Sequence, residues 1–177
     1  MTDRHIARAD SAAALRQAFD RSFAEPPSVD AAALHDLLDL RVGSARYALP
    51  VTDLSALMAD TKITPIATPV PALLGITALR GTMLPVYDLG AVLGVAPEPA
   101  PRWIAVAAGR TPVGLAFARF EGHLRVRADS IVSEVRSGSP HVQQVVRLDG
   151  GHSLALVSVA SVLDAIADRV RAAHINE

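Results

Sequence analysis

The stretches RVGSARYALPV at residues 41–51 and ITPIATPVPALLGITALRGTMLPVYDLGAVLG at residues 63–94 decide the fold of this 177-residue chain. In the first, apolar residues alternate with other residues on both sides of Gly43-Ser44, which is the pattern of a β-hairpin. In the second, strand-like runs at 73–79 and 83–87 lie on either side of a glycine turn at Gly81. Both stretches therefore predict short strands joined by tight turns.

The rest of the chain continues this pattern of short strands and turns. Period-two or continuous apolar runs predict further strands at residues 63–67, 103–107, 112–117, 124–126, 143–148 and 153–157. An apolar stripe that includes Val162, Leu163, Ile166 and Val170 predicts a closing helix over residues 160–173. Many short strands at this spacing favour a barrel or sandwich over a helix-covered parallel sheet.

Glycine, proline and aspartate positions in residues 63–94 predict details of this architecture. Gly75 and Gly81 bracket one strand and permit a sharp entry and exit. Pro85 lacks a backbone donor, which predicts an edge or bulge position. Asp88 is placed to accept backbone N–H bonds at the start of a short helix that ends at Leu93.

The first 35 residues differ from the rest. Leu15, Phe19 and Phe23 recur every four residues, which predicts an amphipathic helix that ends before Pro26. We expect this helix to pack either on the body of the protein or on a partner. The predicted organisation is therefore a helical extension at residues 1–35, which includes a helical turn capped by Asp30, followed by one domain at residues 36–170.

Composition excludes several classes of function. The chain has no cysteine, which excludes disulfide scaffolds, thiolate zinc sites and cysteine nucleophiles. Its net charge of -1 gives no reason to expect nucleic acid or an anionic membrane surface as a partner. It has neither a secretory leader nor an apolar run of the roughly 20 residues that cross a bilayer, so we expect a cytoplasmic protein without membrane insertion.

No catalytic motif is present. The sequence has no nucleophile elbow, no phosphate-binding glycine loop and no dinucleotide-binding fingerprint. His123, His141 and His152 lack partners at metal-ligand spacing, so we interpret them as solvated loop histidines. We expect a non-enzymatic protein without metal or cofactor.

Residues 36–168 resemble the CheW-like family of chemotaxis coupling proteins. The similarity depends on the order and spacing of short motifs over some fifty residues, at 47–51, Pro65, Pro69, Gly75, 79–81, Pro85-Val86, Asp88-Leu89 and Leu93-Gly94. The resemblance implies a mainly β fold of two packed five-stranded β-barrels with short helices. It also implies an adaptor that joins the cytoplasmic tip of methyl-accepting chemoreceptors to the regulatory domain of a CheA-type histidine kinase.

The same resemblance implies that Arg80, Gly81, Leu54 and Leu57 bind the partner. Arg80 has no neighbouring acid in the sequence, so it is interpreted either as a partner contact or as a solvated arginine at a strand end.

This chain also departs from the family at four positions that often carry a polar residue. These are Ala56, Ala78, Gly90 and Ala118. We interpret them as polar positions facing partners that have become small, which leaves the identity of the partners open. Two alternative functions remain: a CheW-like scaffold in another sensory pathway, and a β-barrel that binds a small ligand or performs hydrolysis.

Overall fold

A computed structural model describes residues 33–96, 101–133 and 139–175, with side chains up to residue 173. Within these ranges the elements belong to one unit, Leu34–Glu177. They are, in chain order, β1 (Leu34–Val42), β2 (Ala45–Pro50), β3 (Leu54–Ala59), β4 (Leu73–Leu79), β5 (Thr82–Asp88), α1 (Leu89–Leu93), β6 (Trp103–Ala107), β7 (Val113–Phe117), β8 (Arg119–Arg127), β9 (Ile131–Ser133), β10 (Val142–Arg147), β11 (Ser153–Val157) and α2 (Val159–Ile175).

The strands form two sheets, which confirms the mainly β architecture. One sheet has the strand order β8-β1-β2-β11-β10-β9, and the other has the order β3-β6-β7-β5-β4. The expectation of five strands in each holds for the second sheet only. The first has six, because β8 extends over nine residues along β1 and the short β9 adds a further edge strand.

The six-stranded sheet curls on itself. A flat sheet of six strands would hold its edges roughly 24 Å apart. However, its edge strands β8 and β9 are joined only by the 3₁₀ turn Ala128–Ser130, which can span at most about 14 Å. The buried residues Leu37, Ala48, Val126, Val146, Leu154 and Leu156 form one cluster, and Leu124 and Ile131 from the two edge strands also pack against it. Aliphatic side chains therefore fill the inner face of this sheet.

The five-stranded sheet curls in the same way. Its inner cluster consists of Leu84, Val86, Ile104, Val106 and Ala116. Met58 from one edge strand and Leu79 from the other pack against this single cluster. Both sheets thus have the rolled form that small barrels require.

A third and larger core joins the two sheets to helix α2. It contains Leu40 and Leu49 from the six-stranded sheet, Leu115 from the five-stranded sheet and Val162 and Ile166 from α2. The predicted closing helix is confirmed, and it extends to Val159–Ile175.

Helix α1 begins as predicted. The side chain of Asp88 accepts a hydrogen bond from the backbone N–H of Ala91 at 3.1 Å, which is the usual N-cap interaction. The helix ends at Leu93, and Gly94 follows it in the left-handed region with φ 77°.

One strand prediction was wrong, and two strands were missed. Residues 63–67 form no strand but only an isolated bridge between Thr64 and Ile76, since Pro65 interrupts any longer ladder. Conversely, the edge strands Leu54–Ala59 and Ile131–Ser133 were not predicted. Strand β1 begins at Leu34, before residue 36, where the domain was expected to begin. The predicted N-terminal helix and its apolar stripe lie outside the described residues.

Gly75 and Pro85 have a different structural role from the one expected. Gly75 lies within β4 at a register shift, with φ 148°, and a Cβ atom there would lie 2.2 Å from the carbonyl oxygen of Thr64. Pro85 lies on a central strand, opposite Ile76. Ile76 makes both of its backbone hydrogen bonds with Thr64, so its backbone N–H and C=O point away from Pro85. The backbone nitrogen of Pro85 therefore points away from β4 and towards β7, and the β5–β7 ladder begins only at Val86. The sheet therefore loses no backbone hydrogen bond through the missing N–H of Pro85.

Among the described residues, no helix is long and apolar enough to cross a membrane.

Candidate protein-interaction surface

The tip of the β4–β5 hairpin is a two-residue turn formed by Arg80 and Gly81. Leu79 and Thr82 are the last paired residues of the two strands. Arg80 has φ 49° and Gly81 has φ 83°, so both turn residues lie in the left-handed region. Positive φ at both central residues is the requirement of a type I′ turn, whose twist matches that of the flanking strands.

Arginine is a costly choice at the first position of this turn. Left-handed backbone costs an L-residue other than glycine about 1–2 kcal/mol, and asparagine tolerates it better because its short side chain bonds locally. Asn-Gly is accordingly the preferred sequence for a two-residue turn of this type. The Arg80 side chain is exposed, and its guanidinium makes no hydrogen bond or ion pair with the described residues that would compensate. An uncompensated conformation of this kind suggests a role outside the fold.

The residues around the tip are also exposed, and several are apolar. Ala78 lies opposite Met83 on the outer side of the hairpin, and the Met83 side chain is 60% exposed. Thr82 and Gly81 are exposed beside them. We call these five residues, Ala78, Arg80, Gly81, Thr82 and Met83, the hairpin surface. It combines a guanidinium without an intramolecular partner with apolar area that the fold leaves open to solvent.

Comparison with known proteins gives the context of this surface. The family model for the CheW-like domain matches residues 36–167, which is most of the chain. The chain belongs to the CheW-like domain family. The predicted resemblance is therefore confirmed, with nearly the same boundaries.

Among solved structures, the crystal structure of the scaffolding protein TtCheW from Thermoanaerobacter tengcongensis is similar to this CheW-like domain. The TM-score is 0.64, the sequence identity is 19%, and the match covers 71% of this chain and 89% of that chain. At this identity the similarity shows the fold. A comparison with curated protein sequences gave no match.

The four residues predicted to bind the partner lie on or next to the two edge strands of the five-stranded sheet. Arg80 and Gly81 are neighbours at the end of β4, whereas Leu54 and Leu57 lie on β3 at the other edge of the sheet order. Leu54 is half-buried and packs against the core between the sheets. Leu57 is 37% exposed, because its neighbours on β3 are the ones that contact the inner cluster. Binding by all four residues stays a prediction.

Thr82 and Met83 are the residues of the hairpin surface that sequence reasoning missed. For Met83 the signal was its position beside the turn, out of phase with Leu84 and Val86, which are buried. Phase alone does not decide this exposure, because Tyr87 shares the phase of Met83 and is buried in the core that joins the two sheets.

The interpretation of the four family departures needs correction. Ala56 packs against the inner cluster of the five-stranded sheet. Gly90 is buried, and a Cβ atom there would lie 3.1 Å from Cγ1 of Val42 and 3.0 Å from Oδ1 of Asp88. Neither position faces a partner, so the expectation was wrong for these two. Ala118 is half-buried and Ala78 is exposed. Of the four positions, only Ala78, within the hairpin surface, is an exposed position where the family often carries a polar side chain.

The histidines were only partly predicted. His123 is exposed, and its Nε2 lies 3.1 Å from Oδ1 of Asp36, but it belongs to strand β8. His141 was expected in solvent and is buried instead, with Nδ1 2.8 Å from Oγ of Ser161. Burial, and then the positive charge of Arg169, lowers the pKa of His141. Within the described ranges, no group of histidine, aspartate and glutamate is arranged to hold a metal ion.

Proposed function

We propose that the chain is a non-catalytic adaptor that joins the cytoplasmic tip of chemoreceptors to the regulatory domain of a CheA-type histidine kinase. Membership of the CheW-like domain family and the likeness to a scaffolding protein support this function. The observation on which it depends is the state of Arg80 at the hairpin tip: its side chain is exposed and has no intramolecular partner among the described residues, and its backbone lies in the left-handed region. A cytoplasmic location is part of the proposal, because both partners act there.

The chemistry of the hairpin surface fits a protein contact. A guanidinium offers five donors in a planar fork, which suits carboxylates and backbone carbonyls of a partner. The neighbouring Met83 adds a flexible apolar side chain, and methionine adapts well to protein surfaces. Gly81 has no side chain within the turn, so a partner can approach the backbone closely. Arginine combined with apolar contact is typical of interface hot spots.

The interior of the sheets supports binding at the outer surface. A barrel that binds a small ligand needs a cavity between its strands. Here the inner faces of both sheets are filled by aliphatic side chains, such as Leu154 and Val146 in one sheet and Leu84 and Val106 in the other. The interior of the two sheets, as far as the structure describes them, therefore gives no support to the small-ligand alternative.

The test is calorimetric titration of the full chain with a kinase regulatory domain and, separately, with a receptor tip fragment. We expect Arg80→Ala to weaken at least one of the two interactions by about 2 kcal/mol, a typical hot-spot value. Lysine at this position should restore the affinity only in part, because a point charge does not reproduce the planar fork. The matched control is Arg110→Ala, which removes another exposed arginine without an ion pair, in the loop between β6 and β7. Unchanged affinity of Arg80→Ala for both partners would remove this residue from the interface.

A further inference from the structure

Three arginines lie directly opposite one another at one end of the six-stranded sheet. In the strand register, Arg41 of β1 pairs with Arg46 of β2 on one side and with Arg119 of β8 on the other. Residues directly opposite on adjacent strands point to the same face, with Cβ atoms about 4.5–5.5 Å apart. Like charges in such pairs destabilise a sheet. We call Arg41, Arg46 and Arg119 the arginine row.

Two carboxylates hold part of the row in place. Asp39 is only 2% exposed and accepts hydrogen bonds from Nε of Arg46 at 3.3 Å and from its Nη2. Glu121 accepts a hydrogen bond from Nε of Arg41 at 2.8 Å. Glu121 reaches this position because it is the extra residue of a bulge, where the β1–β8 register moves from Gly122 to Phe120. Arg41 and Arg46 are therefore fixed in orientation.

The fixed arginines keep unused donors. Arg41 uses Nε for Glu121, and Arg46 uses Nε and Nη2 for Asp39, so each retains further N–H groups. Their side chains are about one third exposed, at 33% and 38%. Arg119 is exposed, and its guanidinium makes no hydrogen bond or ion pair with the part of the chain that the structure describes. Three cations against two carboxylates leave the row with an excess positive charge.

We infer that the arginine row is a second interaction surface, which binds an acidic segment of a partner protein through two or more of its carboxylates. The row crosses three strands and is about 10 Å wide, which matches carboxylates on one face of a short peptide segment. Nucleic acid fits less well, because it requires an extended basic surface and this chain has a net charge of -1. The row belongs to β1, β2 and β8, whereas the hairpin surface belongs to β4 and β5.

The probe for this surface is a fluorescently labelled hexaglutamate peptide, titrated with the full chain. We expect saturable binding that weakens when the NaCl concentration rises from about 50 mM to about 500 mM. Arg119→Glu should weaken the binding by about tenfold or more, since it removes a charge-assisted contact and adds repulsion. Arg110→Glu is the matched control, because Arg110 is also exposed and has no ion pair with the described residues, and it should change the affinity by less than about twofold.

Thermal melting of each variant shows whether the fold is retained. If Arg119→Glu is destabilised, Arg119→Gln replaces it, with an expected loss of about threefold or more from the removed charge. Equal losses for Arg119→Glu and Arg110→Glu, or no binding by the unmodified chain, would overturn the inference. Equally tight, Arg119-dependent binding of a DNA oligonucleotide would overturn the choice of a protein segment. Because Arg80 is not part of the row, the outcome of the Arg119 titrations is independent of the Arg80 titrations against the kinase and the receptor that test the proposed adaptor function.

Discussion

Replacing Arg80 with asparagine is expected to raise the stability of the protein while it weakens partner binding. The turn has φ 49° at residue 80 and φ 83° at Gly81, and it connects the paired residues Leu79 and Thr82. Asparagine-glycine is the preferred sequence for this geometry, and left-handed backbone costs arginine about 1–2 kcal/mol. If asparagine recovers about half of that cost, the free energy of unfolding rises by about 0.5–1 kcal/mol. For a protein of this size, this corresponds to an increase in Tm of about 1–4 °C.

The assay combines thermal melting with titration against the kinase regulatory domain and the receptor tip. Arg80→Asn should bind at least one partner about 30-fold more weakly, which is the equivalent of about 2 kcal/mol. Its higher Tm would exclude misfolding as the cause of the loss. Arg80→Ala serves as the comparison, because it removes the guanidinium without improving the turn. A lower Tm for Arg80→Asn would refute the strain argument, and unchanged affinity for both partners would refute the binding role.

Three further predictions concern stability. In urea denaturation, Gly75→Ala should lower the free energy of unfolding by about 3 kcal/mol, because its Cβ would collide with a backbone carbonyl. Gly81→Ala should lower it by only about 1 kcal/mol, because the space around Gly81 is open and only the left-handed backbone disfavours alanine. Similar losses for the two variants would contradict the packing at Gly75. Burial and Arg169 lower the pKa of His141 below its ordinary value of 6.5, so the unfolded chain takes up this proton at a higher pH than the folded chain does. The free energy of unfolding should therefore fall as the pH drops below about 6.5. In His141→Asn the free energy of unfolding should depend less steeply on pH. The same slope in both proteins would exclude His141 as the cause. Asp39→Ala should lower the free energy of unfolding by about 2 kcal/mol, because it removes the buried carboxylate that pairs with the partly exposed Arg46. If urea denaturation shows no decrease, the pair has no structural role.

Strands bounded by strong turn signals could be predicted to the residue. Leu73–Leu79, Trp103–Ala107 and Ser153–Val157 were expected with these bounds. Glycine and proline limit such strands locally, so no knowledge of the partner strand is needed.

Strands defined by their tertiary neighbours were missed. Leu54–Ala59 reads LSALMA, and its alanines and serine have little intrinsic preference for strands. The ladder with β6, the contacts of Ala56 and Met58 with the inner cluster, and the contact of Leu54 with the core between the sheets select this conformation. In contrast, residues 63–67 look strand-like, but Pro65 limits them to one bridge with β4.

The candidate surfaces were predictable only where one residue carried the signal. Arg80 could be singled out because it has no acidic neighbour in the sequence, but its left-handed backbone and the exposure of Met83 depend on the turn and the register. The arginine row could not be predicted at all. Arg41 and Glu121 are 80 residues apart in the sequence, and a bulge between strands β1 and β8 brings them together.

The most direct test of the adaptor function is a co-sedimentation measurement. Vesicles that carry chemoreceptors are mixed with the CheA-type kinase, and the amount of kinase that sediments is measured with and without the chain. We predict that sedimentation of the kinase depends on the chain, that Arg80→Asn abolishes most of this dependence, and that Arg110→Ala retains it. An amount of sedimented kinase that is the same with and without the chain would contradict the account.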